Sequence, residues 1–275
     1  MRLYAGGPPG GVTLRRPRLV ATDLDGTLLR SDGTGSARTA ATLRAVQAAG
    51  IRTVLVTARP PRWLDELVHL VGDGGVALCG NGAFVYDVRS RTVLSQRGFE
   101  PAAVAAIVAD LRRALPGVAF AAERASGFAL EDGYRSLHPV PDGAVRGPVD
   151  AASSDLVGKL LGRHPDLAEV EFLARVQEVV GDRGVVAYSG AGGLAEISAP
   201  GVTKAAALEA WCAGLGITAP DVWAFGDMPN DLPMIAWAGT SFAVANGHPD
   251  VVAAADHVCP PNDEDGVAQT LETLL

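Results

Sequence analysis

Residues 19–29 read Leu-Val-Ala-Thr-Asp-Leu-Asp-Gly-Thr-Leu-Leu, and this stretch decides the fold. A short apolar run over 18–22 has the length of a buried strand, and it stops abruptly at turn-forming residues. The same alternation continues outward from it along both ends of the chain. Strands are predicted at 52–57, 76–79, 222–227, 241–245 and 257–259, and helices at 39–49, after Pro60, at 203–214 and after Asp231. Strands alternating with helices predict an α/β fold with a doubly wound parallel sheet.

The middle of the chain has a different order of predicted helices and strands. Helices are predicted over 101–115 and 165–180, and each is followed by two strand-like runs without a helix between them. Adjacent strands on short loops favour antiparallel pairing, so this part is predicted to be an inserted α+β cap domain. The predicted division is a flexible N-terminal tail at 1–17, a core of 18–86 with 197–275, and a cap of 87–196, in which 132–155 is loop.

Composition restricts the partners. The formal net charge of −8 disfavours nucleic acid and anionic membrane surfaces, because binding to either depends on many Lys and Arg residues. No stretch approaches 18 consecutive apolar residues, and no signal-peptide pattern opens the chain. The three cysteines, Cys79, Cys212 and Cys259, lack disulfide or metal-ligand spacing and are predicted to be buried thiols of a cytoplasmic protein. The sequence leaves the oligomeric state open.

Polar residues follow three strands of the predicted sheet at the point where each strand ends. They are Asp23 and Asp25 after the first strand, Thr57 after the second, and Asp227 in the run Gly-Asp-Met-Pro-Asn-Asp at 226–231. The carboxyl ends of parallel strands meet at one crevice, so these groups can lie together. Converging carboxylates need a cation, and Mg²⁺ prefers such oxygen ligands, so Asp23 and Asp227 are the candidate ligands.

This arrangement suits phosphoryl transfer to a carboxylate. Two aspartates separated by one residue emerge on the same side of an extended chain, so Asp23 can attack phosphorus while Asp25 handles a proton. Lys204 is one of two lysines among 23 basic residues, and it lies at a predicted helix start that mildly disfavours positive charge. Its compact ammonium suits the charge on a phosphoryl group, and the hydroxyl of Thr57 can donate to the same group.

Together these motifs resemble the haloacid dehalogenase-like superfamily of phosphatases. Asp-Leu-Asp-Gly-Thr at 23–27, the Thr ending the second strand, the Lys in Gly-Val-Thr-Lys at 201–204 and the run at 226–231 match its four motifs in order. The inserted cap, Asn-Gly-Ala at 81–83 and the run at 194–208 resemble its Cof-type branch. The resemblance covers about residues 18–271.

The resemblance implies a Rossmann-like core and further site residues. It adds the backbone carbonyl of Asp25 as a metal ligand and places Asp231 near Lys204 or the waters of the metal. It also implies that Asn230 lies near the phosphate and that Asn81 and Gly82 lie beside the substrate. The sequence departs from the family at Ala58, where the pattern usually has Gly. This methyl group puts in doubt how closely the amide of residue 58 approaches the phosphate.

Simpler interpretations stay open at several of these positions. Asp231 could be only the N-cap of the helix that follows, and Asn81 with Gly82 could make only a tight turn. Asp32 is interpreted as a turn residue. For the whole protein, the sequence predicts a Mg²⁺-dependent phosphatase of small phosphate monoesters, such as sugar phosphates or phosphorylated cofactors. The alternatives are a phosphomutase of the same chemistry and a non-catalytic phosphate-binding protein.

Overall fold

A computed structural model describes residues 14–71, 75–150, 155–187 and 192–275 of the protein. The chain divides into two compact units. The first comprises the described residues up to Thr92 together with Lys204–Leu275, and the second is the insertion Val93–Thr203. The sequence analysis places the junctions several residues earlier, at 86/87 and 196/197.

Short strands and helices account for most of the described chain. The strands are β1 (Leu19–Thr22), β2 (Arg52–Val56), β3 (Val76–Cys79), β4 (Phe84–Asp87), β5 (Thr92–Gln96), β6 (Ala119–Arg124), β7 (Gly127–Leu130), β8 (Val145–Arg146), β9 (Lys159–Arg163), β10 (Val185–Ala187), β11 (Ala195–Ser198), β12 (Val222–Gly226), β13 (Thr240–Val244) and β14 (His257–Cys259). The helices are α1 (Ala37–Ala48), α2 (Val68–Val71), α3 (Pro101–Ala114), α4 (Glu169–Val180), α5 (Lys204–Gly214), α6 (Leu232–Trp237), α7 (Pro249–Ala254) and α8 (Gly266–Glu272).

The first unit contains the doubly wound sheet that the sequence predicts. Its strands follow the order β14-β13-β12-β1-β2-β3-β4, and all neighbours are parallel except β3 and β4. From β1, one half of the sheet grows through β2 and the other through β12, so the strand order reverses between β1 and β12. Such a switch point opens a crevice at the carboxyl ends of the strands. Asp23 and Asp227, which follow β1 and β12, lie at this crevice.

Apolar side chains on one face of the sheet form the core beneath the site. Leu19 and Ala21 of β1 pack with Leu208 of α5 and Met234 of α6 in one buried cluster. Alternate residues of a strand share a face, which explains why positions 19 and 21 reach the same helices. Because α5 and α6 are fixed on this core, the residues at their amino-terminal ends have defined positions.

The inserted unit has its own six-stranded sheet, in the order β10-β11-β9-β6-β7-β8. β6 and β7 form an antiparallel hairpin, and β10 pairs antiparallel with β11, as the sequence predicts. The sequence pattern does not predict β9, which lies between β6 and β11 and pairs antiparallel with both. β8 lies inside the predicted loop, and the predicted junction at 196/197 falls within β11.

The helix predicted after Pro60 is largely wrong. This stretch instead makes two short 3₁₀ turns, Pro61–Trp63 and Asp65–Leu67, before the single turn of α2. Consecutive prolines at 60 and 61 remove two N–H donors, and the next turn closes through Leu64 N–H to the carbonyl of Pro61.

The predicted N-terminal tail lies mostly outside the described residues, since only 14–17 of it is described. There, the carbonyl of Arg15 accepts a hydrogen bond from Nε1 of Trp223 at 3.1 Å, and its guanidinium pairs with Asp221 at 2.5 Å. These contacts hold that end of the segment against β12. Among the described helices, none has both the length and the apolar character that a membrane span requires.

Candidate active site

Three buried aspartates converge at the switch point. Asp23 directly follows β1, Asp227 directly follows β12, and Asp231 lies in the 3₁₀ turn Pro229–Asp231 that comes next. One carboxylate oxygen from each lies within 4.8 Å of the others, and all three residues are buried. The structure therefore brings together Asp23 and Asp227, as the strand-end pattern predicts, and Asp231 joins them.

A single ammonium lies among these carboxylates. Nζ of Lys204, the first residue of α5, is 2.6 Å from Oδ1 of Asp23 and 2.6 Å from Oδ1 of Asp231. Burial opposes the charge of Lys204, but the two carboxylates outweigh burial and raise the pKa of its ammonium above its ordinary value. Lys204 is therefore a fixed positive charge, and three carboxylates against one ammonium leave the cluster with excess negative charge.

Both carboxylate oxygens of Asp231 are already engaged. Oδ1 accepts from Lys204, and Oδ2 accepts from the backbone N–H groups of Asp227 and Met228, each at 3.1 Å. The N-cap interpretation requires this side chain to cap α6, but it makes no such hydrogen bond. Instead it stabilises the turn between β12 and α6. This arrangement suits a residue that holds Lys204 and Asp227 in place.

Asp227 is held from two sides. Thr27 donates its hydroxyl proton to Oδ1 at 2.8 Å, and the backbone carbonyl of Asp227 accepts from the N–H of His248 at 2.7 Å. Burial, followed by repulsion from Asp231, raises the pKa of Asp227 to about 6. Burial also raises the pKa of Asp23 well above its ordinary value, although the charge of Lys204 opposes that rise.

Gly26 leaves space that the carboxylate of Asp227 occupies. Gly26 has φ +79°, and a Cβ on it would collide with Oδ2 of Asp227. Its carbonyl accepts a hydrogen bond from Nδ2 of Asn246 at 2.8 Å, which ties the loop after β1 to the loop after β13. Any residue with a side chain at position 26 would push Asp227 out of the cluster.

The donor set fits a hard divalent cation. Its atoms are oxygens of three carboxylates held close together by the fold, and the single ammonium of Lys204 cannot neutralise all three. Mg²⁺ binds through such oxygens. The missing Cβ at Gly26 leaves room beside Oδ2 of Asp227. Asp23 and Asp227 are the residues suited to hold the ion, since both oxygens of Asp231 are engaged elsewhere.

The turn after β2 carries a second set of polar groups. The side chain of Thr57 is buried, and its Oγ1 accepts the backbone N–H of Arg59 at 3.0 Å, which leaves its own hydroxyl proton free to donate. Ala58, between them, is half-buried. The guanidinium of Arg59 donates two hydrogen bonds to the carboxylate of Asp25, at 2.8 and 2.6 Å. No sequence motif predicts a role for Arg59.

Two amide side chains meet beside Thr57. Asn81 has φ +57°, and its backbone N–H donates to the carbonyl of Thr57 at 2.9 Å. The positive φ agrees with the tight-turn interpretation of Asn81 and Gly82. In addition, Nδ2 of Asn230 donates to Oδ1 of Asn81 at 3.2 Å, while Nδ2 of Asn81 and Oδ1 of Asn230 have no hydrogen-bond partner among the described residues. One buried donor and one buried acceptor therefore remain for a ligand.

Asp227 is expected to make the stability of the folded protein depend on pH. Its folded-state pKa of about 6 lies above the ordinary value of 3.8, so the folded protein binds this proton more tightly than the unfolded chain. Stability from this group is therefore present below about pH 4 and is lost as pH rises through about 6. In EDTA, the unfolding free energy of wild type minus that of Asp227→Asn is expected to fall by at most about 3 kcal/mol between pH 4 and 7. Urea denaturation of both proteins measures this difference, and parallel pH curves would contradict the assignment.

Fold and site together define a class of protein: an enzyme with an acidic site at the switch point of a doubly wound sheet and an α+β unit inserted into that sheet's chain. The family model described as haloacid dehalogenase-like hydrolase matches residues 20–271. The chain belongs to this family of hydrolases, which confirms the resemblance seen in its motifs.

Named relatives match over most of their length. Pyridoxal phosphate phosphatase YbhA of Escherichia coli is 25% identical over 270 residues, covering 94% of this chain and 98% of YbhA. The 5-amino-6-(5-phospho-D-ribitylamino)uracil phosphatase YitU of Bacillus subtilis is 26% identical, covering 94% and 97%. The crystal structure of a haloacid dehalogenase-like hydrolase from Bacteroides thetaiotaomicron superposes with a TM-score of 0.77 at 26% identity, covering 94% and 100%.

Proposed function

We propose that this protein is a Mg²⁺-dependent phosphatase that hydrolyses small phosphate monoesters through an aspartyl phosphate on Asp23. The observation that carries the proposal is the position of Lys204, whose ammonium lies 2.6 Å from Asp23 and from Asp231 beside the third carboxylate, Asp227. The names of YbhA and YitU refer to two phosphate esters: pyridoxal phosphate, which is a phosphorylated cofactor, and a phosphorylated ribitylaminouracil. Both esters are within the predicted substrate class.

In the first step, a carboxylate oxygen of Asp23 forms a bond to phosphorus as the bond from phosphorus to the leaving oxygen breaks. The proton on Asp25 passes to the leaving oxygen, which departs as an alcohol. In the second step, a water oxygen forms a bond to phosphorus and the bond to Asp23 breaks, while a proton of the water passes to Asp25. Phosphate leaves, and both carboxyl groups return to their starting states.

Lys204 and Thr57 are proposed to bind the phosphoryl group. Lys204 supplies a fixed positive charge in a buried site, where charge stabilisation is strongest. Thr57 keeps a free hydroxyl proton because its oxygen already accepts from the backbone of Arg59. The amide of Ala58 belongs to the same turn, and its methyl group is the departure from the family pattern.

Asn230 is proposed to contact the phosphate, and Asn81 with Gly82 to contact the rest of the substrate. The mutual hydrogen bond between the two amides fixes both orientations, and it leaves one buried donor and one buried acceptor for a ligand. A buried amide atom without a partner costs free energy, so a ligand that supplies the partner gains binding energy.

Mg²⁺, when bound, supplies positive charge that neutralises the phosphate and the carboxylates around it. Asp23 and Asp227 would hold it through carboxylate oxygens, and Asp25 through its backbone carbonyl. Asp231, predicted from the sequence among the metal residues, is proposed to act by positioning, because both its oxygens are engaged.

The alternatives differ in outcome. A phosphomutase returns the phosphoryl group to its substrate, and a non-catalytic phosphate-binding protein needs no acid or base. Asp25, more than half exposed beside the buried nucleophile, supports a catalytic role, since a binding protein gains nothing from an exposed acid at that point.

Phosphate release from p-nitrophenyl phosphate tests the proposal. Turnover is expected with Mg²⁺, to be lost in excess EDTA, and to return when Mg²⁺ is added. Asp227→Asn is expected to raise the Mg²⁺ concentration for half-maximal activity by at least about 10- to 100-fold, the loss that changing a residue behind a metal ligand already causes. Its matched control is Asp221→Asn, which alters a buried aspartate that pairs with Arg15.

Undiminished turnover in EDTA would contradict the metal assignment. Tight phosphate binding without turnover would favour the binding protein, and isomerised substrate without free phosphate would favour the mutase. A panel of sugar phosphates and phosphorylated cofactors, ranked by kcat/KM, then identifies the substrate class.

A further inference from the structure

Asp25 has one defined contact in the described structure. Its carboxylate is 57% exposed, and both its oxygens accept hydrogen bonds from Arg59, from Nε at 2.8 Å and from the terminal nitrogen at 2.6 Å. No other described residue donates to this side chain. An exposed aspartate without such a contact exchanges rotamers freely, so Arg59 sets where the Asp25 carboxyl group lies.

Arg59 is itself well anchored. Its backbone N–H donates to Oγ1 of Thr57, its carbonyl accepts from the N–H of Gly80 at 2.9 Å, and the buried Pro60 restricts the residue before it. The side chain is 19% exposed. The hydrogen bonds to Asp25 stabilise the charged guanidinium and raise the pKa of Arg59 above its ordinary value. The guanidinium that binds Asp25 therefore extends from a backbone position that is held beside Thr57.

The ion pair between Arg59 and Asp25 is not explained by its contribution to the stability of the fold. An ion pair with a largely exposed carboxylate contributes little to stability. Arg38 and Glu272 form a comparable two-bond pair at 2.8 and 2.5 Å, and it joins α1 to α8. The Arg59 pair instead joins the loop after β1 to the turn after β2, which carry the proposed nucleophile and the proposed phosphate-binding hydroxyl.

We propose that Arg59 is a positioning residue, which holds the carboxyl group of Asp25 where it exchanges a proton with the leaving group. This inference rests on the proposed function. When Asp25 carries the proton, one oxygen continues to accept from Arg59 while the other donates its proton to the leaving oxygen. After the proton has left, both oxygens accept from the guanidinium again. Positioned general acids contribute about 10²- to 10⁴-fold, and misplacement by about 1 Å can cost 10²-fold.

Leaving-group dependence tests the proposal. A good leaving group such as p-nitrophenolate departs without a proton, whereas an alkoxide needs one. Arg59→Met is expected to lower kcat/KM by about 30- to 100-fold for glycerol phosphate and by less than about 5-fold for p-nitrophenyl phosphate. Arg59→Lys, which keeps the charge, is expected to recover part of the loss. Arg38→Met, which breaks the comparable pair, is expected to leave both values within about 2-fold.

A second comparison separates positioning from a structural or binding role. In an Asp25→Asn background, adding Arg59→Met is expected to cause no further loss, because the residue through which Arg59 acts is already disabled. Equal losses on both substrates, or losses that add fully in the double variant, would overturn the proposal. A wild-type protein without phosphate release would overturn the proposed function instead, so the two failures are distinguishable.

Discussion

Asp23→Asn is expected to lower kcat for phosphate release by at least about 10⁴-fold, because an amide oxygen cannot take over as the nucleophile of the covalent step. The amide oxygen still accepts from Lys204, and the change removes one of three buried carboxylates. Stability should therefore stay near that of the wild type. Turnover of p-nitrophenyl phosphate and urea denaturation of the same preparation measure the two effects.

Asp221→Asn is the control for this variant, since it alters another buried aspartate of the first unit, directly before β12, and the described structure shows no contact between it and the site. It should retain wild-type turnover. A rate for Asp23→Asn within about 10-fold of the wild type would refute the assignment of the nucleophile, provided that fresh protein excludes conversion of the new Asn back to Asp.

Lys204→Met is expected to lower both stability and activity. It leaves Asp23 and Asp231 buried without their shared cation, and breaking a buried ion pair in this way costs about 3 to 5 kcal/mol. It also removes a charge aimed at the phosphoryl group, so kcat is expected to fall by about 10²- to 10³-fold. Urea denaturation and p-nitrophenyl phosphate turnover give these values.

Mg²⁺ distinguishes the two roles of Lys204. The ion should restore part of the lost stability, because it supplies positive charge to the same carboxylates, but it should not restore turnover. The inserted unit offers a matched control in Lys159, whose Nζ lies 2.7 Å from Oε1 of the buried Glu196. Lys159→Met should lose comparable stability with no recovery in Mg²⁺. Equal recovery of both variants would contradict a cation site beside Lys204.

Much of the site could be predicted because its residues follow strand ends. Asp23, Thr57 and Asp227 each come directly after a short apolar run, and parallel strands bring their carboxyl ends to one edge. Lys204 was found by its type and position rather than by its contacts. The ion pairs of Lys204 join it to Asp231, 27 residues away in sequence, and to Asp23, 181 residues away. No local sequence pattern predicts contacts at these separations.

The missed features depend on tertiary context. Lys159–Arg163 begins and ends with charged residues and contains a Gly, so local propensity for a strand is weak, and the segment becomes β9 because it pairs on both sides. The grip of Arg59 on Asp25 and the hydrogen bond between Asn81 and Asn230 join separate loops. A pattern of spacing cannot predict them, although Arg beside the Thr of the second motif could have prompted a search for a carboxylate.

The interruption of the core sheet by a contiguous insertion also has a consequence for how the protein is made. During translation, β6 to β11 are all synthesised before β12, whereas β1 pairs with β12, a strand about two hundred residues further along the chain. The acidic cluster around Asp23 is thus complete only after β12 and the turn that follows it have been synthesised, so a nascent chain that stops before β12 lacks both Asp227 and Asp231.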